Sequence, residues 1–131
     1  MSPVQRTALS FGVILALAGS VGMAQSVDEF DGWMRTIDDK NQSVQQQIGR
    51  QDAKAVTADA KVLGDTFKLV EAFWEKRADG RDAVDLAKEA QARAADVATA
   101  AASKDFDAAA RQAVKVAETC TTCHRMHRPL D

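Results

Sequence analysis

Apolar residues recur every three or four positions along most of the chain after Gln25, and this period predicts α-helices. The first predicted helix spans about residues 28–48 and ends near Gly49; its apolar face is Phe30, Trp33, Met34, Ile37, Val44 and Ile48. Asp52 is placed to cap a second helix that stops near Asp79-Gly80. Its apolar face is Val56, Leu63, Phe67, Val70 and Trp74.

Two further helices follow, and their apolar faces are built mainly from alanine. Asp82 is placed to cap the third helix, whose face is Val84, Ala87, Ala90, Ala94, Val97 and Ala101. Ser103 or Asp105 is placed to cap the fourth, and Pro129 marks its end. The face of the fourth helix is Phe106, Ala109, Ala113, Val114 and Ala117.

Four helices of about 20 residues with short connections predict an all-α fold, an antiparallel four-helix bundle. Small inward residues on the third and fourth helices let helices approach closely or leave room for something large. Cys120 continues the stripe of Ala113 and Ala117, so we expect it to face the bundle interior.

The N-terminal 24 residues read as a signal peptide. Arg6 supplies a positive charge, residues 8–18 form a short apolar run, and Gly22 and Ala24 suit signal-peptidase cleavage before Gln25. The alternative is an uncleaved membrane anchor, but the run is shorter than the about 20 residues that span a bilayer. We therefore expect a periplasmic domain of residues 25–131 that does not insert in the membrane.

Charge narrows the class of partner. The full chain of 131 residues has 17 basic and 19 acidic residues, and loss of Arg6 leaves a net charge of −3. A mildly acidic domain is a poor match for nucleic acid or an anionic membrane surface. We also find no catalytic constellation, so the sequence does not predict an enzyme.

The strongest chemical signal is the C-terminal string CTTCH, residues 120–124, which holds both cysteines of the chain. Cys-x-x-Cys-His is the attachment signal of a c-type haem. On a helix, Cys120, Cys123 and His124 share one face. The two sulfurs can bond to the vinyl-derived carbons of one haem, while the imidazole of His124 coordinates its iron.

Three alternatives to haem attachment are compatible with this motif. A thioredoxin-like redox pair normally follows a strand, and the chain has no strand pattern. A structural zinc site built from the motif and His127 would crowd four ligands onto two helical turns. A simple disulfide suits an exported protein but leaves His124 without a role.

From about Gln25 to Arg128 the chain resembles the class II c-type cytochromes, which include cytochrome c′ and cytochrome c-556. The match rests on the four helices and on the string CTTCHRMHR near the C-terminus. The resemblance implies one covalent haem c, a basic residue (Arg128) close to it, and single-electron exchange with partner proteins. It also leaves a homodimer open. His127 stands where the family often has an aromatic residue, and we interpret it as an exposed histidine at the helix end.

The resemblance also bears on the second axial position of the iron. Cytochrome c-556 members place a methionine there and carry electrons; cytochromes c′ place an apolar side chain and bind nitric oxide or carbon monoxide. After cleavage only Met34 and Met126 remain, and Met126 lies on the same helix as His124. Met34, in the string WMRTID, is therefore the expected ligand, unless it only fills the core.

One feature departs from the family. Many c′-type members carry an arginine one turn before the distal residue, where it can meet a haem propionate, whereas this chain has Phe30. Arg35 is a substitute only if it turns away from solvent. The large apolar residues expected to wall the haem are Phe30, Trp33, Phe67 and Trp74, all of which also suit an ordinary bundle core.

Overall fold

A computed structural model describes residues 26–127 as four helices, α1 (Val27–Gly49), α2 (Ala53–Glu75), α3 (Arg81–Ala102) and α4 (Phe106–Met126), with no strand in that range. Each helix packs on the next and α1 returns to α4. Because the connections are short, neighbouring helices run antiparallel, and the predicted four-helix bundle is confirmed. The predicted signal peptide (residues 1–24), Arg128 and Pro129 lie outside the described residues. Within residues 26–127 no helix is apolar and long enough to cross a bilayer.

Local capping chemistry sets most of the helix starts. Ser26 and Glu29 form a reciprocal capping box at the start of α1. Asp52 and Asp105 cap α2 and α4 by accepting backbone N–H bonds three residues on, as predicted. The residues directly before these two caps, Gln51 and Lys104, lie in tight turns and take positive φ values of 57° and 59°.

The connection between α2 and α3 differs from the prediction. Helix α2 ends at Glu75, not near residue 80, and α3 is capped by Gly80 without any side-chain bond, not by Asp82. The carboxylate of Asp82 is engaged elsewhere, with His127. Gly80 is packed against Trp74 so closely that an added methyl group would lie 2.7 Å from the carbonyl oxygen of that residue.

The bundle has two unlike halves. In the closed half, which holds the end of α1, the start of α2, the end of α3 and the start of α4, the core is small and sealed. Its side chains are at most 2% exposed: Val44, Val56, Ala60, Leu63, Ala90, Ala94, Val97, Ala101, Ala109, Ala113 and Val116. The open half holds the opposite helix ends and most of the aromatic residues. Val114, expected on the inner face of α4, is 57% exposed, because the buried stripe runs through Val116 instead.

A polar link joins α1 to α2 near the boundary of the two halves. Asp59 accepts hydrogen bonds from Lys40 Nζ at 2.8 Å and Ser43 Oγ at 2.6 Å. Burial of the carboxyl group opposes its ionisation, but these bonds outweigh burial and lower the pKa of Asp59. The link therefore favours one relative position of the two helices.

Candidate cofactor pocket

All four helices line one pocket of about 540 Å³ in the open half of the bundle. This volume falls in the range of about 300–1,000 Å³ that is usual for small-molecule and cofactor sites. The pocket contains almost every residue that the sequence singled out. Those lining it are Phe30, Met34, Phe67, Trp74, Cys120, Cys123, His124 and His127.

Helix α4 contributes the Cys-x-x-Cys-His motif from its last two turns. Cys120 and Cys123 are half-buried free thiols, and His124 is exposed yet borders the pocket. Their spacing puts the three side chains on one helix face, as predicted. One wall of the pocket therefore carries two sulfurs and one imidazole.

Helix α1 faces this wall with a stripe of apolar side chains. Phe30, Met34 and Ile37 follow one another at helical spacing and all line the pocket, with Met34 half-buried. Met126 is 53% exposed and does not line it. Trp33 is not among the lining residues either; its ring packs edge-on against Phe73, at 6.4 Å between centroids.

Helices α2 and α3 complete the enclosure with large and small residues respectively. Phe67, Val70 and Trp74 come from α2, and each is at most 6% exposed. The residues from α3 are Ala83, Leu86 and Ala87. Because the alanines on α3 are small, they leave space beside the aromatic residues of α2, and this space is part of the pocket.

The two thiols lie in an environment that keeps them protonated. Burial raises the pKa of both Cys120 and Cys123, and nearby carboxylates, Asp38 for Cys120 and Asp82 for Cys123, raise it further. Both also sit near the C-terminal end of α4, where the helix dipole disfavours a thiolate. Reactive Cys-x-x-Cys pairs have the opposite arrangement, with a helix N-terminus and a lowered pKa. The thioredoxin-like alternative is therefore disfavoured.

Two buried polar atoms at the pocket have no hydrogen-bond partner in the described chain. They are Oδ1 of Asn41 and Nε1 of Trp74, and both residues line the pocket. Buried polar groups in native proteins are nearly always paired, and each exception requires an explanation. Both atoms are themselves buried, so they are unpaired polar groups within the pocket wall.

The charged residues at the pocket are all acidic apart from its histidines. Asp28, Asp31 and Asp38 line it from α1, and no lysine or arginine among residues 26–127 does so. Arg35, which could replace the family's arginine only if it turned away from solvent, has a side chain 80% exposed and pairs with Asp31. The position of the family's arginine holds Phe30, which packs on Phe73 at 4.4 Å between ring centroids.

His127 is not the exposed helix-end residue that we expected. Its side chain is 14% exposed, and Nε2 lies 2.9 Å and 3.0 Å from the two carboxylate oxygens of Asp82. Its ring packs on Trp74, with 4.6 Å between centroids. The sequence carried no local signal for this contact because the two partners are 45 residues apart.

The site defines a class: a four-helix bundle with an interior pocket to which one helix contributes two thiols and an imidazole and another contributes a thioether. Among residues 26–127, no three histidine, cysteine, aspartate or glutamate side chains converge in a way that could hold a metal ion by themselves. No family model, curated protein or solved structure matches this chain.

Proposed function

We propose that this chain is an exported c-type cytochrome of the class II kind, an electron carrier and not an enzyme. The observation that carries the proposal is the pocket, in which α4 supplies Cys120, Cys123 and His124 while α1 supplies Met34. The volume of the pocket, about 540 Å³, lies in the range of cofactor sites and so supports a haem there.

Each motif residue has a distinct role in this proposal. Cys120 and Cys123 would hold the haem through thioether bonds, His124 would be the nitrogen ligand of the iron, and Met34, from another helix, would be the sulfur ligand. The bound haem supplies a centre that accepts and releases one electron. Arg128 is assigned a place near the haem by the family resemblance alone.

The rest of the pocket keeps this centre dry and fixed. Phe30, Phe67 and Trp74 give the pocket apolar walls, which would keep water from the haem and lower the local dielectric constant. A packed bundle also limits movement of the axial residues between redox states. Such rigidity suits electron transfer.

The proposal places the protein in the periplasm, on the basis of the signal peptide that the sequence of residues 1–24 predicts. Its partners are redox proteins that would meet the pocket end of the bundle. Family resemblance leaves association into a homodimer open.

The first test uses protein produced in a host with cytochrome c maturation. A haem stain on a denaturing gel detects only covalently bound haem, and its absence would refute the proposal. Optical spectra then test Met34. We expect a low-spin spectrum with a sulfur-to-iron band in the oxidised protein, and its loss in Met34→Ala. Met126→Ala is the matched control, since Met126 is exposed and outside the pocket.

The second candidate function is binding of small gases by a five-coordinate iron. The apolar walls near Met34, formed by Ile37, Phe67 and Val70, favour it, since they would receive a neutral diatomic ligand. In that case the wild-type spectrum is high-spin and shifts on addition of carbon monoxide. An unshifted low-spin spectrum would exclude this candidate.

A further inference from the structure

His127, the C-cap residue of α4, attaches the end of this helix to the rest of the bundle through its side chain. The backbone N–H of His127 donates to the carbonyl oxygen of Cys123 at 2.8 Å, and it forms the final hydrogen bond of the helix. Its imidazole turns back onto the bundle and meets Asp82 at the start of α3. Helices α3 and α4 are thus joined at the pocket end by a side-chain bond.

Asp82 is well placed to receive this bond. It lies in the first turn of α3, where the positive end of the helix dipole favours a carboxylate. The hydrogen bond from His127 and, to a lesser degree, backbone amides at the start of α3 lower the pKa of Asp82. The acceptor is therefore ionised at neutral pH.

A third contact fixes the plane of the imidazole. The His127 ring packs on the indole of Trp74 at the end of α2. Trp74 is also packed closely against Gly80, where an added methyl group would lie 2.9 Å from Cε3. The ends of α2, α3 and α4 therefore meet around one histidine.

The position of this contact matters because Cys123 and His124 both belong to the last turn of α4, which ends at Met126. Terminal helical turns fray, because their last carbonyl groups have no partner within the helix. A ligand on a fraying turn is poorly oriented unless something outside the helix holds it. Residues around a metal site commonly hold a ligating imidazole in one orientation by hydrogen bonding to it.

We propose that Asp82 and His127 form a clamp that holds the last turn of α4 and so positions His124 toward the pocket. In this proposal His127 is a positioning residue, because its Nε2 is bonded to Asp82 and its ring packs on Trp74. The role of the clamp in orienting an iron ligand rests on the proposed function; its role in holding the helix does not. A family-typical aromatic residue here would keep the contact with Trp74 but lose the bond to Asp82.

Four variants separate the bond from the stacking and from charge. Asp82→Asn weakens the bond, His127→Phe removes it but keeps a ring on Trp74, and Asp82→Glu is the conservative rescue. Asp85→Asn is the matched control, because it removes the same charge from the next turn of α3 and Asp85 has no ion-pair partner among the described residues.

The primary readout is amide hydrogen exchange of residues 122–127 in both the haem-loaded and haem-free protein. We expect exchange of the His127 amide to accelerate roughly fivefold in Asp82→Asn and His127→Phe, and to stay at the wild-type rate in Asp85→Asn. Asp82→Glu should restore slow exchange in part. If the first two variants exchange no faster than Asp85→Asn, the clamp is refuted.

The second readout addresses His124 through electron paramagnetic resonance of the oxidised haem, whose g-values report the orientation of the axial imidazole. We expect the g-values to change in Asp82→Asn and His127→Phe but not in Asp85→Asn. Faster exchange with unchanged g-values would overturn the positioning role. If the wild-type chain binds no haem, the proposed function fails, whereas exchange of the haem-free chain still decides whether the clamp exists.

Discussion

The closed and open halves of the bundle use the same four helices in opposite ways. In the closed half, valine and alanine side chains seal a core whose members are at most 2% exposed. In the open half, aromatic side chains stand around a pocket of about 540 Å³. Helix α3 contributes alanines to both halves. The residue types on this one helix face therefore do not decide whether a sealed core or a pocket forms.

What differs is the set of residues that the alanines face. In the closed half, Ala94 and Ala101 belong to a core of valines, alanines and Leu63 whose side chains are at most 2% exposed. In the open half, Ala83 and Ala87 face the aromatic residues of α2 across a space that the described side chains leave open. The pocket is bordered by buried aromatic side chains that are held by specific contacts, such as those of Trp74 with His127 and Gly80.

The largest expected effect tests this division directly. Leu63→Ala in the closed half should lower the free energy of unfolding by about 3 kcal/mol, since it removes a fully buried side chain and leaves a cavity. Ile37→Ala should cost only about 1–2 kcal/mol in haem-free protein, because Ile37 already borders an open pocket.

Denaturant unfolding of both variants measures the difference, with Val62→Ala as the control. Val62 precedes Leu63 in α2 but is 37% exposed, so its truncation should have little effect. Equal losses for Leu63→Ala and Ile37→Ala would mean that the two halves do not differ in how they stabilise the fold.

The sequence alone predicts the bundle because helix formation depends on local information. Apolar spacing located all four helices, and Asp52 and Asp105 proved to be the caps that their positions indicate. The stripe of small residues through Ala113 and Ala117 continues to Cys120, which was predicted to face the interior and lines the pocket. These features require only a period of 3.6 residues and the known preferences of helix ends.

Features that depend on distant residues were not predictable. Asp82 looks like a cap in sequence, but its carboxylate bonds to His127, which lies on another helix. Val114 and Val116 are equally apolar, and only the packing of α4 decides that Val116 is buried. Trp33 fits the same helical pattern as Phe30 but does not line the pocket.

The second prediction concerns Gly80, which lets the chain pass close to Trp74 at the pocket end. Gly80→Ala should lower the free energy of unfolding by about 2 kcal/mol, because the new methyl group would lie 2.7 Å from a backbone oxygen that cannot easily move. It should also change the fluorescence of Trp74.

Gly32→Ala is the control: nothing lies within 4 Å of a methyl group there, so it should stabilise α1 by about 0.5–1 kcal/mol. Unchanged stability in Gly80→Ala would mean that this end is not tightly packed.

The third prediction uses pH to measure the link between α1 and α2. The pKa of Asp59 is lowered in the folded protein, so its contribution is present above the unfolded pKa and is lost as pH falls through the folded value. Asp59→Asn should therefore cost about 1 kcal/mol at pH 7, and less at roughly pH 3. Thermal unfolding at both pH values checks this.

Asp65→Asn is the matched control for that experiment. Asp65 lies on α2 and pairs with Lys61 and Lys68, but its side chain is 53% exposed, so solvent screens these pairs. Its removal should change stability little at pH 7. A loss as large as that of Asp59→Asn would show that exposure does not distinguish the two carboxylates.

The smallest expected effect concerns the acidic residues of the open half and rests on the proposed function. Asp38 lines the pocket and acts electrostatically on Cys120, whereas the adjacent Asp39 does not line it. A carboxylate near the haem favours the ferric state, because that state carries one more positive charge. Asp38→Asn should therefore raise the reduction potential by roughly 10–40 mV, the equivalent of a partly screened charge pair.

Asp39→Asn is the control and should shift the reduction potential less. Potentiometric titration in low and high salt should show that the effect of Asp38→Asn becomes smaller as salt is added. Equal shifts from the two variants would mean that the pocket does not focus charge on the site and that only the net charge of the domain matters.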